Sequence, residues 1–347
     1  MWRSLRNYGV HAISRDPVRW RPLLAVYYLT YACDFRCPYC SDGAGRPYHT
    51  LREPFLDARD ALALLAHVRR YSDYLILTGG EPLKHPEVAA VLEGVERLNF
   101  DGVVFTTNGH DLDAAGPWLE RAVTHLVFSL DTMDSAKADA CYGNGRGTHA
   151  RIVANIERFL AKSPRPEVIL SAVVTPDNLE DLPAVYEFAR SHGLRFAACP
   201  QLVGVKAHPG LVNNPAYRSF FDFLLKEKRG GADIQGMTAY LERMRDLKKF
   251  ECRPSTLLAL SPNGDVFYPC LERGTKAGNL LAEPDLDVLR AQARERLGPE
   301  PSCDTRCHSA CALGFSVILN QPLAMLDEVL CVARRTLRER MAAWKRL

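Results

Sequence analysis

LAVYYLTYACDFRCPYC, residues 24–40, decides the fold. Its opening LAVYYLT is an apolar run of strand length that passes directly into Cys33, Cys37 and Cys40. Chemistry at the C-terminal end of a strand is therefore expected. The run predicts the first of several βα units. A helix is expected over 57–71, with Ala61, Leu62, Leu64, Leu65 and Val68 on one face, and a strand over 74–77 closed by Gly79-Gly80. Further helices are expected near 86–98, 111–121, 148–162 and 179–192, and strands at 102–106, 125–130, 167–174 and 194–198. Strands alternating with helices of about 10–15 residues imply a parallel sheet. Right-handed crossovers curl such a sheet into an incomplete (βα)6 TIM-like barrel, an α/β fold with its active site at the strands' C-terminal ends.

The alternation stops after Pro200. Residues 201–215, rich in Gly, Pro and Asn, read as a linker, followed by helices near 216–229 and 237–249. A second cysteine-rich region starts at Cys252 and contains a hairpin turning at Ser261-Pro262-Asn263-Gly264; a last helix is expected over 326–346. The expected segments are a basic N-terminal stretch (1–22), the partial barrel (23–200), a helical linker (201–251) and a small C-terminal auxiliary domain (252–347).

A formal charge of +3 over 347 residues gives no reason to expect nucleic acid as a partner. The absence of an apolar run of about 18 residues excludes a spanning helix, and the N-terminus lacks a signal-peptide pattern, so the expected location is the cytoplasm. The two ends are basic and contain tryptophan, which makes peripheral membrane contact an expectation to test, although solvated helix faces explain the same residues. Eleven cysteines in a reducing compartment argue for metal or redox use rather than disulfides.

Three thiolates spaced C-x3-C-x2-C can bind three irons of a cubane and leave the fourth open. A zinc site would need a fourth local ligand, and His49 lies well beyond Cys40. With Tyr39 before its third cysteine, the triad resembles the signature of the radical S-adenosylmethionine (SAM) superfamily. Thr78-Gly79-Gly80-Glu81-Pro82 resembles that family's GGEP motif, which implies that Glu81 offers a carboxylate to the ammonium of SAM and that Gly79, Gly80 and Pro82 shape the turn around it. Weaker matches follow later strands: Thr107-Asn108-Gly109, Ser129-Leu130-Asp131, and Val174 with Asn178. Of these, Asn108 and Ser129 are taken as cofactor contacts.

Cys252 and Cys270 flank a hairpin in a pattern that resembles the SPASM or shortened twitch extension of this superfamily. Two fully cysteine-ligated cubanes would need about eight cysteines. Cys252, Cys270, Cys303, Cys307, Cys311 and Cys331 are too few, so one auxiliary 4Fe-4S cluster is expected. Its ligands would be Cys252, Cys270 and two of the other four. The C-x3-C-x3-C run departs from the family spacing, and a second, incompletely ligated cluster or a structural zinc are the alternatives.

Cys141 and Cys199 are candidate hydrogen-atom donors, with packing as small apolar residues the plainer reading. The resemblance implies an enzyme that cleaves SAM reductively and abstracts hydrogen from an unactivated carbon, with net oxidation or bond formation. It would be served by a reductant such as flavodoxin or ferredoxin. A small molecule such as a sugar, nucleoside or lipid precursor is the expected substrate, because the segment before the first strand is short for a leader-peptide-binding domain. Maturation of a ribosomal peptide and a non-enzymatic iron-sulfur carrier are the alternatives.

Overall fold

A computed structural model of the chain describes residues 2–14, 16, 19–298 and 307–344. The strands are β1 (Leu24–Tyr28), β2 (Tyr74–Thr78), β3 (Gly102–Thr107), β4 (His125–Ser129), β5 (Glu167–Val174), β6 (Arg195–Pro200), β7 (Leu202–Val203), β8 (Lys206–Ala207), β9 (Leu257–Leu260), β10 (Asp265–Phe267) and β11 (Lys276–Asn279). The helices are α1 (Trp2–Ile13), α2 (Ala58–Val68), α3 (Val88–Leu98), α4 (Trp118–Ala122), α5 (Ser135–Tyr142), α6 (Thr148–Leu160), α7 (Leu182–Ser191), α8 (Pro215–Arg229), α9 (Thr238–Asp246), α10 (Leu286–Leu297), α11 (Ala310–Asn320) and α12 (Ala324–Trp344).

The chain forms two compact units. The first comprises residues 1–129, 135–168 and 253–302; the second comprises 130–134, 169–252 and 303–347. In the first, β1 lies between two parallel neighbours, β2 with Ala25 opposite Leu75 and β9 with Ala25 opposite Leu258. Parallel β3 and β4 follow beyond β2, and antiparallel β10 and β11 extend the other edge. β1 is buried on both faces, as a central parallel strand must be, with Ala25 and Tyr27 buried on one and Val26 and Tyr28 on the other. α2 is capped by Asp57, whose side chain accepts from the Asp60 N–H, and it buries Ala61, Leu64, Leu65 and Val68, the face that the periodicity predicts.

In the second unit β5 and β6 pair in parallel from Ile169 opposite Arg195 to Val174 opposite Pro200. Phe220, Phe221 and Leu224 of α8 pack beside Leu241 and Met244 of α9 to form its core.

Several expectations need correction. The helix expected over 111–121 is a 3-10 turn at Leu112–Ala115 followed by the short α4, because Gly116 takes φ 55° and Pro117 has no N–H to continue the ladder. The 201–215 linker carries the β7–β8 hairpin and a 3-10 turn at Pro209–Leu211. The units cut across the expected segments: β9 zips onto β1, which joins 253–302 to the barrel strands. Within the basic N-terminal stretch, residues 2–13 form α1 and are tied to the first unit. Ser4 N–H and Oγ donate to Asp73, Arg3 pairs with the same carboxylate, and Asn7 donates to the Pro22 and Tyr71 carbonyls. Trp20, offered to a membrane by composition, is 8% exposed under the Arg253 guanidinium. Among the described residues no single helix is long and apolar enough to cross a membrane.

Candidate metal centre and cofactor site

The cysteine loop begins where β1 ends, and the glycine turn after β2 holds it. Gly80 N–H donates to Thr30 O and Glu81 N–H to Ala32 O, both at 2.8 Å. A Cβ on Gly80 would overlap the Tyr31 carbonyl and stand 2.6 Å from Ala32 O; one on Gly79 would overlap Thr30 O. The glycine pair is thus required by the approach of one backbone to another, before any ligand is considered. Beyond this clasp, Phe35 N–H points at Cys33 Sγ (3.3 Å) and Cys40 N–H donates to Cys37 O (3.1 Å).

The end of α5 braces the loop from another side. The Tyr142 ring stacks on Phe35 at 4.7 Å and its carbonyl accepts from Arg36 N–H. Cys141, which precedes Tyr142, hydrogen-bonds Cys37, and that bond, with burial, pushes the Cys37 thiol well up; Tyr39 also bonds Cys37. Burial pushes the Cys33 thiol up to about 12.

The carboxylate of Asp34, between the first two cysteines, is engaged by its neighbours: Asn108 Nδ2 donates to Oδ1 (2.9 Å), while His110 Nδ1 (3.0 Å) and Lys84 Nζ (3.2 Å) reach Oδ2. With that carboxylate committed, the loop offers sulfur donors. Three thiols on one loop fit a cubane with one open iron better than a zinc ion. Among the described residues, no three His, Cys, Asp or Glu side chains are gathered closely enough to grip a single ion.

Glu81 is 2% exposed. Its Oε1 accepts from Leu83 N–H and Thr107 Oγ, and its Oε2 accepts from Asn108 N–H at 2.7 Å. It therefore ties the GGEP turn to the end of β3. Burial pushes its carboxyl up from 4.5 to about 7 against those donors. Because the folded protein holds this proton more tightly than the unfolded chain, Glu81's favourable contribution is complete below pH 4.5 and is lost as pH rises through 7. In urea titrations of cofactor-free protein, the parent should lose about 3 kcal/mol more than Glu81→Gln between pH 4.5 and 8. Parallel pH profiles for the two proteins would refute a buried, protonated Glu81.

Pro82 is buried at the start of a 3-10 turn, and Ser129 stands exposed at the end of β4. Asp34, Lys84 and His110 were not singled out from the sequence, and Thr107 only as part of Thr107-Asn108-Gly109. Asp34 lies between two cysteines and His110 directly follows Thr107-Asn108-Gly109, which were the available signals; pairing across such distances has none. In the second unit, Asp131 accepts from Val173 N–H, and Asn178 Nδ2 donates to the Asp131 and Val173 carbonyls, so both brace the end of β5.

The second set of cysteines is divided. Cys270 belongs to the first unit, where it caps the 3-10 turn Leu271–Arg273. Leu271 joins the Tyr28–Tyr31 cluster, and a Cβ on Gly43 would stand 2.8 Å from Glu272 Cα, so this turn lies against the loop that follows Cys40. Cys252, Cys307 and Cys331 belong to the second unit; Cys307 and Cys331 are buried, and Cys331 Sγ lies 3.8 Å from Thr238 Oγ1. Cys303 and the Cys311 side chain lie outside the described residues. Cys199 is half-buried near the end of β6, beside Tyr217.

Residues 27–189 match the family model described as Radical SAM superfamily. GTP 3',8-cyclase 3 of Mycobacterium bovis is 31% identical over 167 residues, which cover 46% of this chain and 43% of that protein. GTP 3',8-cyclase 1 of Pseudomonas aeruginosa is 32% identical over 173 residues, 48% of this chain and 50% of that one. The chain thus spans about half the length of the curated relatives it matches. In fold it is similar to Streptococcus suis SuiB bound to S-adenosylmethionine, with a TM-score of 0.61 at 19% identity over 78% of this chain and 65% of that one.

Proposed function

We propose, for a chain that carries a radical SAM domain over residues 27–189, that Cys33, Cys37 and Cys40 hold a 4Fe-4S cluster at which SAM is cleaved to start hydrogen abstraction from a small molecule. Held by Cys33, Cys37 and Cys40, the cluster would supply the one electron needed to break the sulfonium C–S bond of SAM into methionine and the 5'-deoxyadenosyl radical. The remaining work belongs to this chain. The Gly79-Gly80-Glu81 turn fixes the cysteine loop, the buried Glu81 ties that turn to the end of β3, the Asn108 amide holds Asp34 beside the cysteines, and the sheet shields the reacting carbon from water.

The observation that carries the reading is the clasp between that turn and residues 30–32, extended through Glu81 to Asn108. It gathers the cysteine triad, GGEP and Thr107-Asn108-Gly109 in one place, although they are far apart in sequence. The relatives named as GTP cyclases favour a small-molecule substrate over a peptide. We further read Cys252 and Cys270, with two of Cys303, Cys307, Cys311 and Cys331, as ligands of one auxiliary cluster that accepts an electron from the substrate radical. Cys199 and Cys141 are the alternative donors of a returning hydrogen atom.

Anaerobically reconstituted protein given dithionite and SAM should release 5'-deoxyadenosine and methionine in equal amounts, slowly even without substrate. Recovery of intact SAM under conditions where the reduced cluster is seen by electron paramagnetic resonance would overturn the proposal.

A further inference from the structure

The second unit contains a cavity of about 1000 Å³, at the upper end of the range for small-molecule sites. It opens beyond the end of β6, among residues of the 201–215 stretch, α8, the end of α9 and His308. One wall is apolar. Val212, Tyr217 and Leu247 line it, and Val203 and Val212 leave 53% and 44% of their surface exposed there. The other wall is cationic. Lys206, Arg218 and Arg245 face it, against the single carboxylate of Asp246.

Asp246 takes ion pairs from Arg218 (3.0 Å), Arg245 (2.8 Å) and Lys248 (3.0 Å), and Arg245 also reaches Asp222 (2.9 Å). Lys206 has no ion pair among the described residues, and the Asn213 amide makes no hydrogen bond among them. With Asp222 and Lys248 counted, the four cations Lys206, Arg218, Arg245 and Lys248 outnumber the carboxylates Asp222 and Asp246 by two, beside the Asn213 amide and an apolar face. Asn213 and Leu247 take φ values of 59° and 46°, left-handed backbone that a side chain disfavours. Such conformations collect at binding sites.

The floor connects the cavity to the proposed chemistry. His308 Nδ1 accepts from Ala207 N–H, its Nε2–H donates to Leu247 O, and its own N–H donates to Val205 O. Cys307 directly precedes it, and Tyr217 lies beside Cys199. Two residues of the lining, His308 and Tyr217, thus adjoin a candidate cluster ligand and a candidate hydrogen donor.

We propose that this cavity is the substrate site and that the substrate is a phosphate-bearing amphiphile. Its phosphate is held by Lys206, Arg218 and Asn213, and its apolar body lies against Val212, Tyr217 and Leu247. An excess of two charges matches a phosphate monoester, near −2 at neutral pH, better than a carboxylate. As an assignment of substrate this rests on the radical SAM reading; as an assignment of binding it does not.

The probe is decyl phosphate below its micelle concentration, titrated calorimetrically into the reconstituted full chain. It should bind at least about tenfold more tightly than inorganic phosphate, decanoate or decyltrimethylammonium. Lys206→Gln and Arg218→Gln should each weaken it about tenfold, and Val212→Asp at least as much, with thermal unfolding midpoints confirming that each variant folds. Binding of decyltrimethylammonium as tight as that of decyl phosphate, preference for decanoate or GTP over it, or indifference to all three substitutions in folded protein would overturn the assignment. The Cys33, Cys37 and Cys40 triple alanine variant separates the two readings: it should bind decyl phosphate unchanged while cleaving no SAM. Binding in a parent that cannot cleave SAM would remove the enzymatic reading and leave the site.

Discussion

Replacing Cys33, Cys37 and Cys40 together by alanine is expected to lower the iron of anaerobically reconstituted protein from about eight to about four per chain, and to abolish deoxyadenosine formation. The three thiols share one loop, and the neighbouring carboxylate Asp34 is taken up by Asn108, His110 and Lys84, so that carboxylate does not stand ready to replace them. Alanine at these positions should leave the sheet intact, because Cys33 and Cys37 are half-buried, Cys40 is exposed, and the loop is fixed by backbone bonds at Thr30 and Ala32. The iron that remains reports on the other cysteines. Replacing Cys252 and Cys270 should remove it and leave the first cluster's spectrum unchanged. An unchanged iron content in the triple variant would refute the first site; zinc in place of the residual iron would make the second a structural staple.

The second large effect is steric. Gly80→Ala is expected to destabilise the protein by about 3 kcal/mol and to impair cluster retention, because its methyl would meet the carbonyls of Tyr31 and Ala32, which are backbone and cannot swing away. Gly9→Ala is the matched control. Gly9 sits within α1 with nothing within 4 Å of a built Cβ, so the same methyl should stabilise by about 1 kcal/mol through helix propensity. Urea midpoints measure both, and iron content after gel filtration measures the consequence for the loop. Wild-type stability and iron in Gly80→Ala would mean that the clasp is not as close as described.

Local patterns carried the barrel strands well. Alternation and apolar runs located β1 to β6 to within a few residues, and the cysteine spacing identified the loop that chemistry would use. What the sequence left illegible was non-local. Parallel pairing of β9 with β1 has no signature in either strand, so 253–302 read as part of a separate appendage. Residues 1–22 were legible only as a basic stretch, because the anchor of α1 is Asp73, in the turn between α2 and β2. At the site, Glu81 was legible as a motif residue, but its bonds to Thr107 and Asn108 exist only once β2 and β3 are side by side. Cys141 was singled out for a role in returning hydrogen; its bond to Cys37 depends on how the end of α5 settles on the loop.

The pairing of β1 with β9 also sets an order of events during synthesis. Leu24 is made early, and its partner Leu257 emerges only after both α8 and α9. Until then the strand that delivers the cysteine loop has one unpaired edge, open to other nascent chains. Cys270 leaves the ribosome shortly after β9. Closure of the sheet and availability of the second cysteine-bearing turn therefore come at nearly the same late moment, so iron supplied earlier in translation would meet a cysteine loop whose strand is still half-paired.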